Sequence, residues 1–485
     1  MTTLSGPTDA QVRRVTAPTS PPAVLESEFI GEIRTENEYP TAETVAKLYD
    51  QLDFQRACQA FLRNIMASSM FSFRQGLRRD LGATTPQHYV TWDGPFDARS
   101  LLLTPNSETV YGTGFLALAD DGPTVVEVPP GVLGVFNDMW MREVENLGPA
   151  GPDEGKGGSY LVVPPGYEGE IPEGYFVARP KTYGVWLVLR AFRAPDGDGS
   201  AAVATQKQVR VYPLARKDDP PRMEFVDAAG KDLDTIHPVD GRYFDDLAQL
   251  VAEEHEDAVD VETAGMLAAI GIEKGKPWDP DERMRRILAE AALVGSHMAM
   301  VTSYESRLPL ARYADRRWLE IGNTGYPDFQ SGNHRVLDGQ SLMGWFATVS
   351  SKAMVRPMLG KGSVYMWTFK GGDGAWLDGA RNYRLHLPTG IPAGNFWSLV
   401  VYDVWTRSLL ANGQAASSKN SYDPAVTAND DGSVDLHFGP EPPPEGEGNW
   451  IRTLPGKGWS TIFRLYGPLE GYMDGSWKPG DVEPV

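Results

Sequence analysis

Asp138-Met139-Trp140-Met141-Arg142 is answered far downstream by Asp403-Val404-Trp405-Thr406-Arg407. Each copy follows a proline-and-glycine break and precedes a glycine-rich loop and a later tryptophan-led strand. Outward from the two copies, further matches follow in the same order. Val110-Tyr111 corresponds to Val364-Tyr365, and Val128-Pro129-Pro130-Gly131 to Leu387-Pro388-Thr389-Gly390. Trp186 with Arg190 corresponds to Trp459 with Arg464, the spacings differing by inserted loops such as Gly371 to Ala380. Matches in order point to an ancient duplication of one β unit rather than a repeat array.

The segments around these matches are short, β-branched or aromatic, and bounded by turn residues. Thr124 to Val128, Tyr160 to Val163 and Val185 to Leu189 are examples in the first half, and Tyr383 to Leu387 and Phe396 to Tyr402 in the second. That pattern predicts antiparallel sandwiches or barrels. Helical spacing appears elsewhere. Val45, Leu48, Tyr49 and Leu52, then Cys58, Phe61, Leu62 and Ile65, predict two helices over 42–80 with a break near Met66 to Ser72. Asp279-Pro280-Asp281-Glu282 reads as the start of another helix capped by Asp279, with Met284, Ile287, Leu288, Ala291, Val294 and Met298 on one face. The expected fold class is mainly β with α segments: two jelly-roll-like antiparallel β-sandwich domains, duplicated, plus helical N-terminal and inter-domain segments. The expected boundaries are a flexible lead over 1–38, a helical segment over 39–99, a first sandwich over 100–240, a helical connection over 241–339 and a second sandwich over 340–485.

The 485 residues allow several domains and ample core. Thirteen Trp and 19 Tyr with 51 Gly and 38 Pro favour turn-rich sheet over a helical bundle. A net charge of −20 argues against nucleic acid or an acidic membrane as partner. Cys58, the single cysteine, excludes an intrachain disulfide and sits on an apolar helical face. Met1 to Pro22 lacks the apolar run of a secretory signal, and no stretch approaches the roughly 18 apolar residues of a spanning helix. A cytoplasmic protein is expected, with no membrane partner; a homo-oligomer is compatible with all of this.

The chain also resembles the bacterial family in which a DUF1254 domain is followed by a DUF1214 domain. The residues carrying the resemblance are Thr104-Pro105-Asn106-Ser107-Glu108-Thr109-Val110-Tyr111, Gly151-Pro152-Asp153-Glu154-Gly155-Lys156-Gly157-Gly158 with Tyr160-Leu161-Val162-Val163-Pro164-Pro165-Gly166-Tyr167, Lys274-Gly275-Lys276-Pro277, Asn382-Tyr383, Phe396-Trp397-Ser398, Asp431-Gly432-Ser433, and Asn449-Trp450 with Arg464-Leu465-Tyr466-Gly467-Pro468. They span most of the chain from about residue 40 onward. The resemblance implies two jelly-roll-like sandwiches with helical segments and brings no reaction, substrate or cofactor with it. The family pattern usually has Asp where this chain has Glu108, which moves the carboxylate by about one methylene, ~1.5 Å, a displacement that matters for a catalytic acid.

Carboxylates in or beside the repeated motifs are the catalytic candidates: Asp138, Asp403, Glu143 and Glu108. Two carboxylates across a cleft can divide acid and base work. Arg142 and Arg407 would orient a substrate, Trp140 and Trp405 would stack on a ring, and Asn106 and Tyr111 would add polar contacts. The structural alternative carries more weight. On a strand, Asp-x-Trp-x-Arg places all three side chains on one face, where Asp and Arg make an ion pair beside a core indole. The seven histidines show no His-x-His or His-Glu-x-x-His spacing, so no metal site is expected, nor any cofactor. No Gly-x-Ser-x-Gly elbow occurs, and Gly155-Lys156-Gly157-Gly158 is not a phosphate loop. The expectation is a hydrolase acting on a neutral or polyhydroxylated small molecule or oligomer through paired carboxylates in a cleft between two sandwiches. The alternatives are a non-catalytic glycan- or ligand-binding tandem sandwich, and a structural or oligomeric protein.

Overall fold

The computed structural model describes residues 22–194, 196–354 and 357–485. The expected flexible lead falls largely on residues 1–21, outside the described residues. Its described part is ordered: β1 (Val24–Ser27) and β2 (Gly31–Glu36) form an antiparallel hairpin. Composition missed this hairpin because its strands are exposed and carry no apolar alternation.

Helix α1 runs unbroken from Ala42 to Leu81, capped by Thr41 and closed by Gly82 in the left-handed region. The break expected near Met66 to Ser72 is absent. Met66 to Phe73 is buried all round, so it has no polar stripe to carry a helical period. Around α1 pack α2 (Arg242–Glu253), α3 (Val261–Ala268), α4 (Glu282–Tyr304) and α5 (Leu337–Phe346). Asp281, not Asp279, caps α4.

In the first β region, β3 (His88–Thr91), β4 (Thr109–Ala117), β6 (Leu133–Asp138), β7 (Glu143–Leu147), β10 (Gly184–Phe192) and β12 (Glu224–Asp227) form a six-stranded sheet in the order β12-β3-β4-β10-β6-β7. A second sheet has the order β9-β8-β5-β11, from β5 (Thr124–Val128), β8 (Gly158–Val162), β9 (Phe176–Ala178) and β11 (Arg210–Pro213). One apolar cluster joins the two sheets, with Val126, Phe136, Tyr160, Leu187 and Val211 among its members. In the second β region, β13 (Ser363–Thr368), β15 (Ala393–Asp403), β16 (Ser418–Asn420) and β19 (Trp459–Pro468) form a sheet in the order β13-β19-β15-β16. Facing it are β14 (Tyr383–Leu387), β17 (Val434–Gly439), β18 (Trp450–Arg452) and β20 (Val482–Pro484), in the order β18-β17-β14-β20. Leu385, Leu399, Leu436 and Phe463 share the cluster between them. The fold is thus sheet-rich and mixed with helices, and among the described residues none of the sheets closes.

The strand orders match one for one. β4-β10-β6-β7 answers β13-β19-β15-β16, and β9-β8-β5-β11 answers β18-β17-β14-β20. The parallel pair β8/β9 has its counterpart in β17/β18. Register corrects one match made from sequence. Asp138 pairs with Val185 and Asp403 with Trp459, so Trp459 answers Val185 rather than Trp186. A one-residue slip reverses the face. Trp186 accordingly packs into the helical layer and Trp459 into its own sandwich core.

That helical layer lies against both β regions. Its cluster draws Phe61, Ile65 and Phe73 from α1, Trp186 and Val188 from β10, and Val400, Tyr402 and Ile462 from β15 and β19. Close approach within it is set by Gly344 on α5, where an added Cβ would lie 2.2 Å from Ile65 Cγ2. Gly344→Ala is expected to lower stability by about 1–3 kcal/mol in urea denaturation. Ile65→Ala in the same chain should recover part of that loss through direct coupling.

Where α2 ends, Glu254 is buried and accepts the N–H groups of Tyr183 and Gly184 at the start of β10. Burial lifts its carboxyl from 4.5 to about 7, against the pull of those two N–H groups. Both states are protonated below the ordinary value; as pH climbs from about 4.5 through 7 the unfolded chain ionises first, and stability falls. Glu254 should therefore remove about 3 kcal/mol between pH 4.5 and 7.5. Denaturation of the wild type and Glu254→Gln across that window checks it: the variant should gain on the wild type as pH rises.

Candidate functional site

Neither Asp-x-Trp-x-Arg copy lies along a strand. Each aspartate is the last residue of its strand, and the rest of the motif is the turn that follows. Asp138 Oδ1 accepts the N–H of Trp140 at 2.9 Å and of Arg142 at 3.0 Å, while Arg142 Nε donates to Oδ2 at 2.6 Å. Asp403 Oδ1 accepts from Trp405 N at 2.8 Å and Thr406 N at 2.9 Å, with Lys457 on the other oxygen. An aspartate that bonds the backbone two residues on makes a turn in place of continued strand, so the period-two expectation does not apply. Met141 and Arg407 take up the left-handed conformations the two turns need. Burial works against the Asp403 charge, but Lys457 and the two N–H groups outweigh it and hold the carboxyl below its ordinary value.

The remaining motif residues diverge. Trp140 is buried and donates from Nε1 to Asn64 Oδ1 at 3.1 Å, whereas Trp405 is 44% exposed. Arg407 is buried over the Trp345 ring at 3.8 Å and donates from Nε to the Trp345 carbonyl, while Arg142 stays partly exposed on Asp138. Glu143 accepts the Lys352 N–H. Glu108 accepts from Ser107, from Ser418 at 3.4 Å and from Asn420 at 3.3 Å, bridging the two β regions.

The hollow between the β regions lies elsewhere. A cavity of about 740 Å³ is lined by the helix-facing sides of β4, β6 and β10, by β13 and β19, and by Phe73, Met343 and Phe346 of the helices. Of the ten residues singled out from sequence, Asn106 and Tyr111 line it; Asp138, Asp403, Glu143 and Glu108 do not. The wall is mostly apolar and aromatic, with Trp92, Trp186, Val188, Trp367 and Ile462 prominent.

Into this wall two arginines project. Arg190 stands directly across the ladder from Tyr111, and Arg464 directly across from Tyr365. Residues so placed share a face, and all four line the cavity, as does Tyr466. Arg464 is buried; its Nη2 donates to the Thr104 carbonyl at 3.1 Å, while Nε and Nη1 have no hydrogen-bond partner among the described residues. Its guanidinium lies 5.6 Å from the Tyr365 ring centre and 5.8 Å from that of Tyr402. Among the described residues, no carboxylate oxygen comes within 4.0 Å of either guanidinium. Burial opposes a phenolate at Tyr365, yet Arg190, the Ser363 hydroxyl 2.8 Å away and Arg464 prevail and hold this phenol below the ordinary tyrosine value.

The Thr104-to-Tyr111 stretch positions the site by joining the two halves. Thr104 N donates to the Arg407 carbonyl at 2.8 Å, and Tyr402 Oη donates to the Pro105 carbonyl at 2.6 Å. Asn106 Oδ1 accepts from Glu108 N, Thr109 N and the Thr109 hydroxyl, and its Nδ2 donates to Tyr111 Oη at 2.8 Å. Arg190, Arg464, Tyr365 and Tyr466 were not named as site residues from sequence. The signal was present: a lone arginine inside each of the apolar runs Gly184–Phe192 and Trp459–Pro468.

A second hollow, of about 940 Å³, is a groove on the helical face lined by Gln59, Met266, His297, Met298, Val301 and Leu337. Among the described residues no group of three or more His, Cys, Asp or Glu is placed to hold a metal ion, and no helix is long and apolar enough to cross a membrane.

Comparison with known families matches residues 87–213 to DUF1254 and residues 362–470 to DUF1214, each described as a protein of unknown function. No curated protein matches the chain. Among solved structures, the VPA0106 protein of Vibrio parahaemolyticus is similar over 89% of this chain and 100% of its own, with 16% identity and a TM-score of 0.54. At that identity the likeness is one of fold. An uncharacterized protein from Burkholderia cenocepacia is similar over 92% of this chain and 97% of its own, with 11% identity and a TM-score of 0.40.

Because Asp138 and Asp403 hold turns, Asp138→Ala and Asp403→Ala should each lower stability by about 1–3 kcal/mol, the cost of stranding buried or partly buried N–H donors. Urea denaturation checks this.

Proposed function

This chain is a DUF1254/DUF1214 domain-containing protein, and we propose that it binds a small molecule of largely apolar body in the cavity where its two β regions meet the helical layer. The observation that carries this is the cavity itself. Its volume of about 740 Å³ and its apolar wall with a few convergent polar groups are those of a small-ligand site. Of the expectations drawn from sequence, the ligand-binding tandem sandwich gains most support. A hydrolase with paired carboxylates gains little, since the four candidate carboxylates hold turns or bridge loops outside the cavity wall. We further propose that the β regions are jelly-roll-like copies of one ancestral sandwich. The matched strand orders and the twin Tyr–Arg ladder positions support that. On this account the ligand lies between the two descendants.

The test is a neutral, environment-sensitive dye, N-phenyl-1-naphthylamine, titrated by fluorescence. The wild type should bind it saturably. Val188→Trp and Thr348→Trp, which fill the cavity from β10 and from the loop after α5, should each weaken binding at least tenfold while circular dichroism stays unchanged. Undiminished binding by both folded variants would contradict the proposal.

A further inference from the structure

We infer that the molecule in this cavity carries a carboxylate, gripped by Arg190 and Arg464 with the phenols of Tyr111, Tyr365 and Tyr466, and that an aliphatic or aromatic body fills the rest. The inference rests on the cavity reading above and goes beyond it by fixing the charge and class of the ligand.

Arg464 is 3% exposed, and among the described residues two of its three guanidinium nitrogens have no hydrogen-bond partner. The buried Tyr466 hydroxyl has none either. Buried donors are normally satisfied, and a buried cation is normally paired, so such groups converging on one hollow mark where a partner belongs. Arg190 lines the same cavity, and neither arginine has a carboxylate within 4.0 Å among the described residues. Glu154, the one acidic residue on the wall among the described residues, is exposed and bound to Lys156. The site therefore holds excess positive charge facing an apolar chamber.

The supports of the two arginines show that they are held in place. Tyr111 and Tyr365 flank them across the ladders, Asn106 fixes the Tyr111 hydroxyl, and Ser363 fixes that of Tyr365. The depressed phenol of Tyr365 reports the same positive field. From Arg190, the same face of β10 continues through Val188 to Trp186, four residues away, or about 13 Å at the ~3.3 Å rise of a strand. That run, with Phe73 against Trp186 at 5.4 Å, gives an aliphatic chain a wall to lie on. A single carboxylate suits two guanidiniums and an otherwise largely apolar chamber; a highly charged head would leave most of its charge against apolar surface.

Calorimetric titration of the full-length protein with decanoate, with 1-decanol and with N-phenyl-1-naphthylamine tests this. Decanoate should bind the wild type at least tenfold more tightly than decanol. Arg464→Met and Arg190→Met, which keep apolar volume, should each weaken decanoate at least tenfold and leave the neutral dye within twofold; either variant suffices if the other does not fold. If the dye binds but decanoate shows no advantage over decanol, or keeps its affinity in a folded Met variant, the carboxylate inference is overturned and the cavity reading stands. If neither dye nor decanoate binds the wild type, both fall together.

Discussion

Strands β10 and β19 are buried on both faces, one against a sandwich partner sheet and the other against helices and cavity, and this double burial governs the rest of the structure. Of the nine residues of β10, seven are buried; of the ten in β19, all are. A strand in that position cannot alternate polar with apolar residues, so its sequence reads as a near-continuous apolar run. Against that background a charged residue is costly wherever it stands. Both strands nevertheless carry one arginine, at matching ladder positions, each opposite a tyrosine.

The two halves are joined in the same place. The Thr104–Pro105 backbone accepts from Arg464 and from Tyr402, and the Thr104 N–H is bonded to Arg407. A movement of one β region against the other would thus shift Arg464 relative to Arg190. Rigidity of this loop, held by Asn106 accepting three donors, keeps the two guanidiniums in register.

Much of this was legible in the chain. The sequence matches Tyr111 with Tyr365 and Arg190 with Arg464, and each Tyr–Arg pair stands at one ladder position of its own sheet. Their meeting on one cavity wall was not legible, because pairing along a sequence says nothing about which face of a strand a residue takes. The Trp186–Trp459 match shows the limit: one residue of slip, invisible in a loop-ridden alignment, puts the two indoles in different cores. The conspicuous Asp-x-Trp-x-Arg copies do not line the cavity. Their aspartates cap turns through backbone N–H groups, a role written in geometry rather than spacing. Helix α1 was misread for the converse reason, since total burial erases the periodicity by which helices are recognised.

The most direct measurement is the anomalous scattering of bromine from crystals of the protein grown with a bromine-tipped aliphatic carboxylic acid. The account predicts a bromine peak inside the cavity between the β regions, with the carboxylate within hydrogen-bonding distance of Arg464. A peak confined to the groove of Met266, His297 and Leu337 on the helical face, with the inner cavity empty, would contradict it.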